Sequence, residues 1–299
     1  MRIVLKVTED KFTFYGLQLA GYTEKEIGRM KEKGKRENFV VHFGSRPHVL
    51  TKMWDDLKQT QNEDAKIDEA WDDPVKFLMA HYFLKNYPRD RQMPAIFHFS
   101  RKVIRAWIWY YIGKMSALKT DKIIWPEEWK DRVKQFLISV DGVHFWTREA
   151  PHPELPYDKT WFSHKNKMAG VSYEIGVSLE ESRIVWFSGP WPAGTSDITI
   201  FNKPGGLKSK LKNGNMGVAD NGYPSRKLAK PSSKDLDDVR KFKAIARARH
   251  ETVNKRLKVF QSLVQRFRHS PADKHELIFS SVCVIVQYQM ELGQPLFDV

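Results

Sequence analysis

A chain of 299 residues that is 41% hydrophobic, with ten Trp, ten Tyr and eighteen Phe, has ample material for packed cores, which excludes wholesale disorder. Its formal net charge of +14 is spread over both halves and suits a polyanionic partner such as nucleic acid or an acidic membrane surface. A single cysteine, Cys283, rules out an internal disulfide and a Cys-rich zinc site, and the lack of any long uncharged apolar run or secretory leader leads to the expectation of a soluble intracellular protein without a membrane partner.

A short strand is predicted at Arg2 to Val7. GYTEKEIGRMKEKGK follows as a helix, with Thr23 as N-cap and Glu26 completing a capping box. Its basic end, Lys31 to Arg36, suits a nuclear address or a phosphate contact, and equally a solvated helix end. In SRPHVLTKMWDDLKQ, Ser45 is the predicted cap, Pro47 lies in the first turn, and Val49, Leu50, Met53, Trp54 and Leu57 form an apolar stripe. QTQNEDAKIDEAWDD reads as a surface loop, and Pro74 opens a further helix that stops before Pro88.

A helix capped by Ser100 then carries Val103, Ile104, Trp107, Ile108, Tyr111, Ile112 and Met115 at helical spacing toward a core. Its opposite face shows Lys102, Arg105 and Trp109. With a short helix before it, residues 88–118 would suit a helix-turn-helix on DNA, with Lys102 and Arg105 as contacts. KIIWPEEWKDR leads out of this half. The expected organisation is an all-α N-terminal domain over residues 1–130 and a second domain over residues 131–299.

In the second part the period changes. QFLISVD is a strand ending at Asp141; HKNKMAGVSYEIGVSL and RIVWFSGPW are two more, joined by a turn at EESR. SDITIFNKPGGLKSKLK reads as a broken helix, GVAD as a fourth strand and KLAK as a short fifth. KDLDDVRKFKAIARARHETVNKRLKVFQSLVQRF is long and helical, and HELIFSSVCVIVQYQMEL closes the chain as an apolar helix holding Cys283. Three strands, helix, strand, helix is the order of the ribonuclease H fold, an α/β domain with a mixed sheet flanked by helices.

Four acids stand out in that frame: Asp141, Asp197, Asp220 and Glu251. If the first strand pairs with the fourth, Asp141 and Asp220 emerge side by side at the carboxyl ends of their strands. Two adjacent carboxylates repel, and a divalent cation that prefers hard oxygen, Mg²⁺ or Mn²⁺, removes the penalty. Glu251, on a helix packed across the sheet, would close the other side. Two ions there would activate a water or a 3′-hydroxyl for in-line attack on a phosphodiester. Arg247, Glu251, Lys255 and Lys258 share a helix face, so phosphate-binding charges would surround this ligand. Each acid also has a plainer reading. Asp141 and Asp220 resemble ordinary strand-to-turn residues, Asp197 suits the charge at a helix start, and Glu251 suits a solvated helix face. His144 and His250 lie nearby in sequence without a required role, and Tyr223 suits packing beside the site.

SVDGVHFW, SHKNKMAGVSYEIGVSL, GPWPAGTSDITIF, VADNGYP and RARHETVNKRLKVFQSLVQRFRH, in this order, closely resemble the DDE superfamily endonucleases of the PIF/Harbinger transposase type. The resemblance covers about residues 131 to 299, with a looser match through FLKNYP and KIIWP. It implies a ribonuclease H-like nuclear enzyme that cuts DNA at transposon ends and joins the freed 3′-hydroxyl to target DNA. Asp141, Asp220 and Glu251 match the family's metal-binding triad. Asp197 matches a further acid in a GS-x-x-D-like motif, from which this chain departs in having Thr195 and Ser196 before the acid. His164 and Lys165 match a family HK position, which makes Lys165 a candidate phosphate contact. The resemblance also implies assembly as a homo-oligomer on DNA and dependence, in some members, on a separate Myb-like DNA-binding protein. A domesticated, non-cleaving DNA-binding or adaptor protein that retains the fold is the alternative. A nuclease acting on RNA or RNA–DNA hybrids is a third reading, suggested by fold alone.

Overall fold

The computed structural model describes residues 7–147, 159–165, 167–269 and 273–299. They divide into two compact units. One contains the chain up to Thr120 together with Val259–Ser262 and Leu277–Leu292; the other contains Asp121–Lys258, Leu263–Glu276 and Gly293–Val299. Part of the sequence beyond residue 130 thus groups with the N-terminal helices.

Helices in the N-terminal stretch are α1 (Glu9–Leu19), α2 (Glu24–Arg29), α3 (Glu32–Phe43), α4 (Pro47–Gln59), α5 (Pro74–Asn86), α6 (Met93–Phe97), α7 (Arg101–Ala117) and the short α8 (Lys119–Lys122). The strand predicted at Arg2 to Val7 falls, except for Val7, outside the described residues. Helix α1, which was not foreseen, starts where the Thr8 side chain accepts from the Lys11 N–H. The Thr23–Glu26 capping box forms as predicted, but Met30 leaves the helix in an extended conformation and splits the predicted single helix into α2 and α3. Arg46 rather than Ser45 occupies the cap position of α4, and the Ser45 hydroxyl is buried without a partner.

The predicted stripe of α4 is buried throughout, and Trp54 meets Phe77 at 5.3 Å and Phe12 at 6.3 Å between ring centroids. In α7, Ile104, Ile108, Tyr111, Ile112 and Met115 are buried, whereas Val103 is 38% exposed, so the core face is narrower than the spacing predicts. The segment before α5 is not wholly surface either, since Ala65 and Ile67 are buried.

The second unit is built on β1 (Phe136–Trp146), β2 (Phe162–Ser163), β3 (Met168–Ser178), β4 (Ile184–Pro192), β5 (Met216–Val218) and β6 (Leu228–Ala229). Strands β2 and β4 both pair with β3, and the order continues through β1 and β5 to β6. Neighbours β1, β3 and β4 are antiparallel, while β1, β5 and β6 run parallel, so the sheet is mixed. The predicted pairing of the first strand with the GVAD strand is therefore present. One expectation is corrected: Asp141 does not end its strand. The segment DGVHFW stays paired with β3 as far as Trp146 opposite Gly170, and Val143 and Phe145 are buried. The parallel partner β5, however, stops at Val218 opposite Ser139, so Asp141 lies just beyond the end of that pair.

Helix α9 (Asp197–Phe201) and helix α10 (Leu207–Lys210) form the predicted broken helix, and α11 (Asp237–Leu257) is the predicted long one. The long helix ends earlier than expected, at the cap Lys258, and α12 (Gln261–Val264) is a separate turn. Side chains alternate across a strand, which separates Ser139 and Asp141 from Val140 and Gly142. Ile138 and Val140 pack with Phe201, Leu207, Leu211 and Tyr223, and Val218 packs with Ala246 of α11. The sheet thus has α9 and α10 over one face and α11 over the other. Helix α13 (Asp273–Glu291) closes the order, with Cys283 buried. No helix among the described residues is long and apolar enough to cross a membrane.

Arg249 fixes the register of α11. Its side chain is 1% exposed and donates to the backbone carbonyls of Ser178, Glu181 and Phe297, tying the β3–β4 turn and the C-terminal segment to the helix that carries Glu251. Removing the guanidinium would leave three buried acceptors without a donor, at about 1–3 kcal/mol for each that finds no water. Arg249→Met is expected to lower stability by about 3 kcal/mol in urea titrations. Arg249→Lys should recover little of it, because one ammonium cannot span a planar fork.

Candidate active site

The α11 side of the sheet holds Asp141, Asp220 and Glu251. Asp141 takes two hydrogen bonds, one from the backbone N–H of Gly142 at 2.9 Å and one from the Asn254 amide at 3.1 Å. Asp220 follows β5 and accepts from the N–H of Gly222 at 2.8 Å, a turn closed by the acid itself. Both acids border a cleft of about 50 Å³ together with Arg247, His250 and Glu251. Glu251 is exposed on α11. Beneath the cleft the buried Ser139 hydroxyl pairs with His250 Nδ1 at 3.1 Å and links β1 to α11.

Asp197 approaches from the other side. It is the first residue of α9, with Ser196 as cap, so the helix-start description is correct as far as position goes. Its carboxylate nevertheless points at the acids. A Cβ placed on Gly142 would lie 2.5 Å from Asp197 Oδ1 and 3.6 Å from the Tyr223 hydroxyl. A Cβ placed on Gly222 would lie 3.1 Å from Asp197 Oδ2 and 3.0 Å from Asp220 Oδ1. Asp197 therefore has one oxygen over the bare backbone of β1 and the other facing Asp220. A side chain at 142 would therefore force the Asp197 carboxylate to shift, since real Cβ contacts essentially never come so near.

Crowding of this kind shows in the acids' proton affinities. Burial, followed by the charge of Asp220, pushes Asp141 up to about 6. Burial also raises Asp197, against the opposing influence of His144 and Lys165. Lys165, exposed in the turn before β3, acts electrostatically on both Asp141 and Asp197. His144 donates to or accepts from the Ser172 hydroxyl at 2.6 Å, and burial lowers its proton affinity, opposed by Asp197 and assisted by Lys165 and Lys258. Arg247, Lys255 and Lys258 are exposed along α11 and its end. Lys102 and Arg105 belong to the other unit; Lys102 is exposed, while Arg105 is ion-paired with Asp90.

The donor set fits a hard divalent cation in kind. All four candidates offer carboxylate oxygen, and burial together with neighbouring acids raises the proton affinity of Asp141 and Asp197, which a bound cation would offset. The shell is not closed by these side chains as they stand: among the described residues no group of three or more His, Cys, Asp or Glu could hold a metal ion.

Two residues of this region escaped the sequence reading. Asn254 lies one turn after Glu251 on α11, and that spacing alone would have placed it on the same face. Glu174 is the less obvious of the two. It is 1% exposed on β3 and pushed up to about 8 by burial, with the Trp186 indole N–H opposing the rise and Asp197 adding to it. Its sequence signal is a lone acid inside the apolar run of YEIGV.

No curated protein and no solved structure matches the chain. A mixed sheet flanked by helices is consistent with a nuclease-like fold, and residues 140–287, which hold Asp141, Asp197, Asp220 and Glu251, match the family model of the DDE superfamily endonucleases.

Proposed function

We propose that the chain is a Mg²⁺- or Mn²⁺-dependent DNA endonuclease and strand-transferase of the PIF/Harbinger transposase type, with a ribonuclease H-like catalytic unit and a helical N-terminal domain. The observation that carries this reading is the convergence of Asp141, Asp197 and Asp220 beside the cleft bordered by Glu251, inside the stretch that matches the superfamily. When bound, two divalent ions would supply charge neutralisation for the acids and Lewis acidity at the attacking and leaving oxygens of a phosphodiester. Asp141, Asp220 and Glu251 are the proposed ligands, with Asp197 as a fourth.

The protein's own groups have separable roles in this scheme. The Asn254 amide donates to Asp141 Oδ2 and so turns that oxygen away from free rotation. Lys165, Arg247, Lys255 and Lys258 would hold phosphates of the DNA near the acids, at a cost in affinity as salt rises. In the N-terminal helices, α6 and α7 are the proposed DNA-reading pair. Lys102 is free to approach a phosphate, whereas Arg105 would first have to release Asp90. Nuclear location, a homo-oligomer on DNA and a separate Myb-like DNA-binding partner complete the proposal.

Asp141→Asn, Asp220→Asn and Glu251→Gln are each expected to lower Mn²⁺-dependent cutting of DNA bearing the cognate terminal repeats by about a thousandfold or more, with DNA binding preserved. Gel assays of cleavage and binding on the same fragments would check this. A wild-type protein that binds DNA with a steep salt dependence yet leaves it uncut at every protein and Mn²⁺ concentration would favour the non-cleaving adaptor reading instead.

Acid burial sets a second expectation. Asp141 near 6 and Glu174 near 8 keep their protons in the folded chain above the pH at which the unfolded chain has released them, about 4. That stabilisation is complete below about pH 4 and is lost as pH rises through 6 and then 8. Urea midpoints measured in EDTA should fall over this window. The fall should be smaller in Glu174→Gln, and Mg²⁺ should offset the part due to Asp141. Identical pH profiles for wild type and Glu174→Gln would contradict the assignment.

A further inference from the structure

Glu174 sits where an apolar side chain would be the easier choice. It lies on β3 directly opposite Gly142 of β1, and residues directly opposite in an antiparallel pair project to the same face. That face is the one on which Asp197 Oδ1 and the Tyr223 hydroxyl converge over Gly142. Neighbouring positions of β3 on either side of it, Tyr173 and Ile175, are fully buried, and Glu174 is buried with them. Among the described residues no group makes a hydrogen bond of good geometry to its carboxyl oxygens or to the Tyr223 hydroxyl, although Tyr223 is 0% exposed; the Trp186 indole N–H is near enough to Glu174 to act on its carboxyl. Burying an unpartnered hydroxyl and an unpartnered carboxyl beside each other costs several kcal/mol that a leucine and a phenylalanine would not incur.

Three polar side chains therefore face one space over Gly142: an acid from β3, a phenol from the turn after β5 and the first residue of α9. Gly142 makes the space by having no side chain. We infer that Glu174 and Tyr223 are a buried positioning pair for Asp197, which hold its Oδ1 over Gly142 so that its Oδ2 faces Asp220. The inference rests on the reading of Asp141, Asp197, Asp220 and Glu251 as a cation-binding nuclease site.

The parts have the required chemistry. The phenol is a donor and an acceptor, so it can donate to the Asp197 carboxylate and accept from a protonated carboxyl. Among the acids around Tyr223, Glu174 weighs most on its hydroxyl, ahead of Asp197, Asp141 and Asp220. The Trp186 indole N–H, also buried, opposes the rise in the proton affinity of Glu174. Neither Glu174 nor Tyr223 is assigned contact with DNA or with a cation; both act through Asp197.

The test compares Tyr223→Phe, Glu174→Leu and Glu174→Gln with Asp197→Asn in the full chain. Three readouts are needed: thermal melting, Mn²⁺ affinity by electron paramagnetic resonance, and the infrared carboxylate stretch of Asp197, identified as the band that Asp197→Asn removes. Tyr223→Phe and Glu174→Leu should melt no earlier than wild type, shift the Asp197 band, and weaken Mn²⁺ about tenfold. Glu174→Gln, which keeps the size and hydrogen-bonding capacity of a neutral acid, should recover most of the loss that Glu174→Leu causes.

An Asp197 band unmoved by both Tyr223→Phe and Glu174→Leu would overturn the pair, whatever the cation does. So would wild-type Mn²⁺ affinity in both variants when Asp197→Asn lacks it. If wild-type protein binds no Mn²⁺ at all, the nuclease reading fails, and the infrared band still decides whether Glu174 and Tyr223 position Asp197.

Discussion

Carboxylates crowded at the end of the β1–β5 pair repel one another, and the second unit has to contain that repulsion. At a separation of about 6 Å and an effective dielectric near 20, two full charges repel by roughly 3 kcal/mol, and burial adds a desolvation cost to each. The fold answers partly by keeping protons: Asp141 and Asp197 both hold theirs more tightly than a free acid. It answers partly with donors, namely the Gly142 and Gly222 N–H groups and the Asn254 amide, and partly with the charge of Lys165. None of these neutralises the group outright. A site that stays short of positive charge after all local means are spent is suited to receiving it from a cation.

The scaffold explains how such a site stays open without collapsing. Asp141 and Asp197 reach the cluster from opposite faces of β1, one from beneath α11 and one from the start of α9. Each acid is then anchored by its own layer of packing, through Ala246 and Val218 on one side and through Phe201, Leu207 and Tyr223 on the other. Repulsion between them is carried by the strand that separates them. Arg249 adds a further restraint, since its three backbone acceptors keep α11 from sliding along the sheet and taking Glu251 and Asn254 out of reach of the cleft.

Features set by near neighbours in the chain could be read from sequence. The Thr23–Glu26 box, the α4 stripe, the EESR turn and the broken helix after Ser196 all depend on residues a few positions apart. Features set by distant partners could not. Asp141 reads as a strand end because it is the Asp of a turn-like DG, and only the pairing of DGVHFW with β3 carries the strand onward. Asp197 had two readings because its backbone is a helix start while its side chain faces acids that come from elsewhere in the chain. Glu174 was hidden in an apolar run, and its importance depends on what lies opposite it. Val103 differs for the same reason, since its burial depends on neighbours that spacing does not reveal, while the cap of α4 falls one residue after Ser45, at Arg46.

Gly142 has a bearing on how such a gene would age. The acids are what an observer would inspect for signs of decay, yet the smallest lesion available to this site is a single methyl group on a residue that binds nothing. With Asp197 Oδ1 only 2.5 Å from where that methyl would stand, the Asp197 carboxylate would have to shift while every acidic position remained intact. Under the proposed reading, the position of one acid could thus be disturbed with the acidic signature unchanged, by a residue that carries no charge of its own.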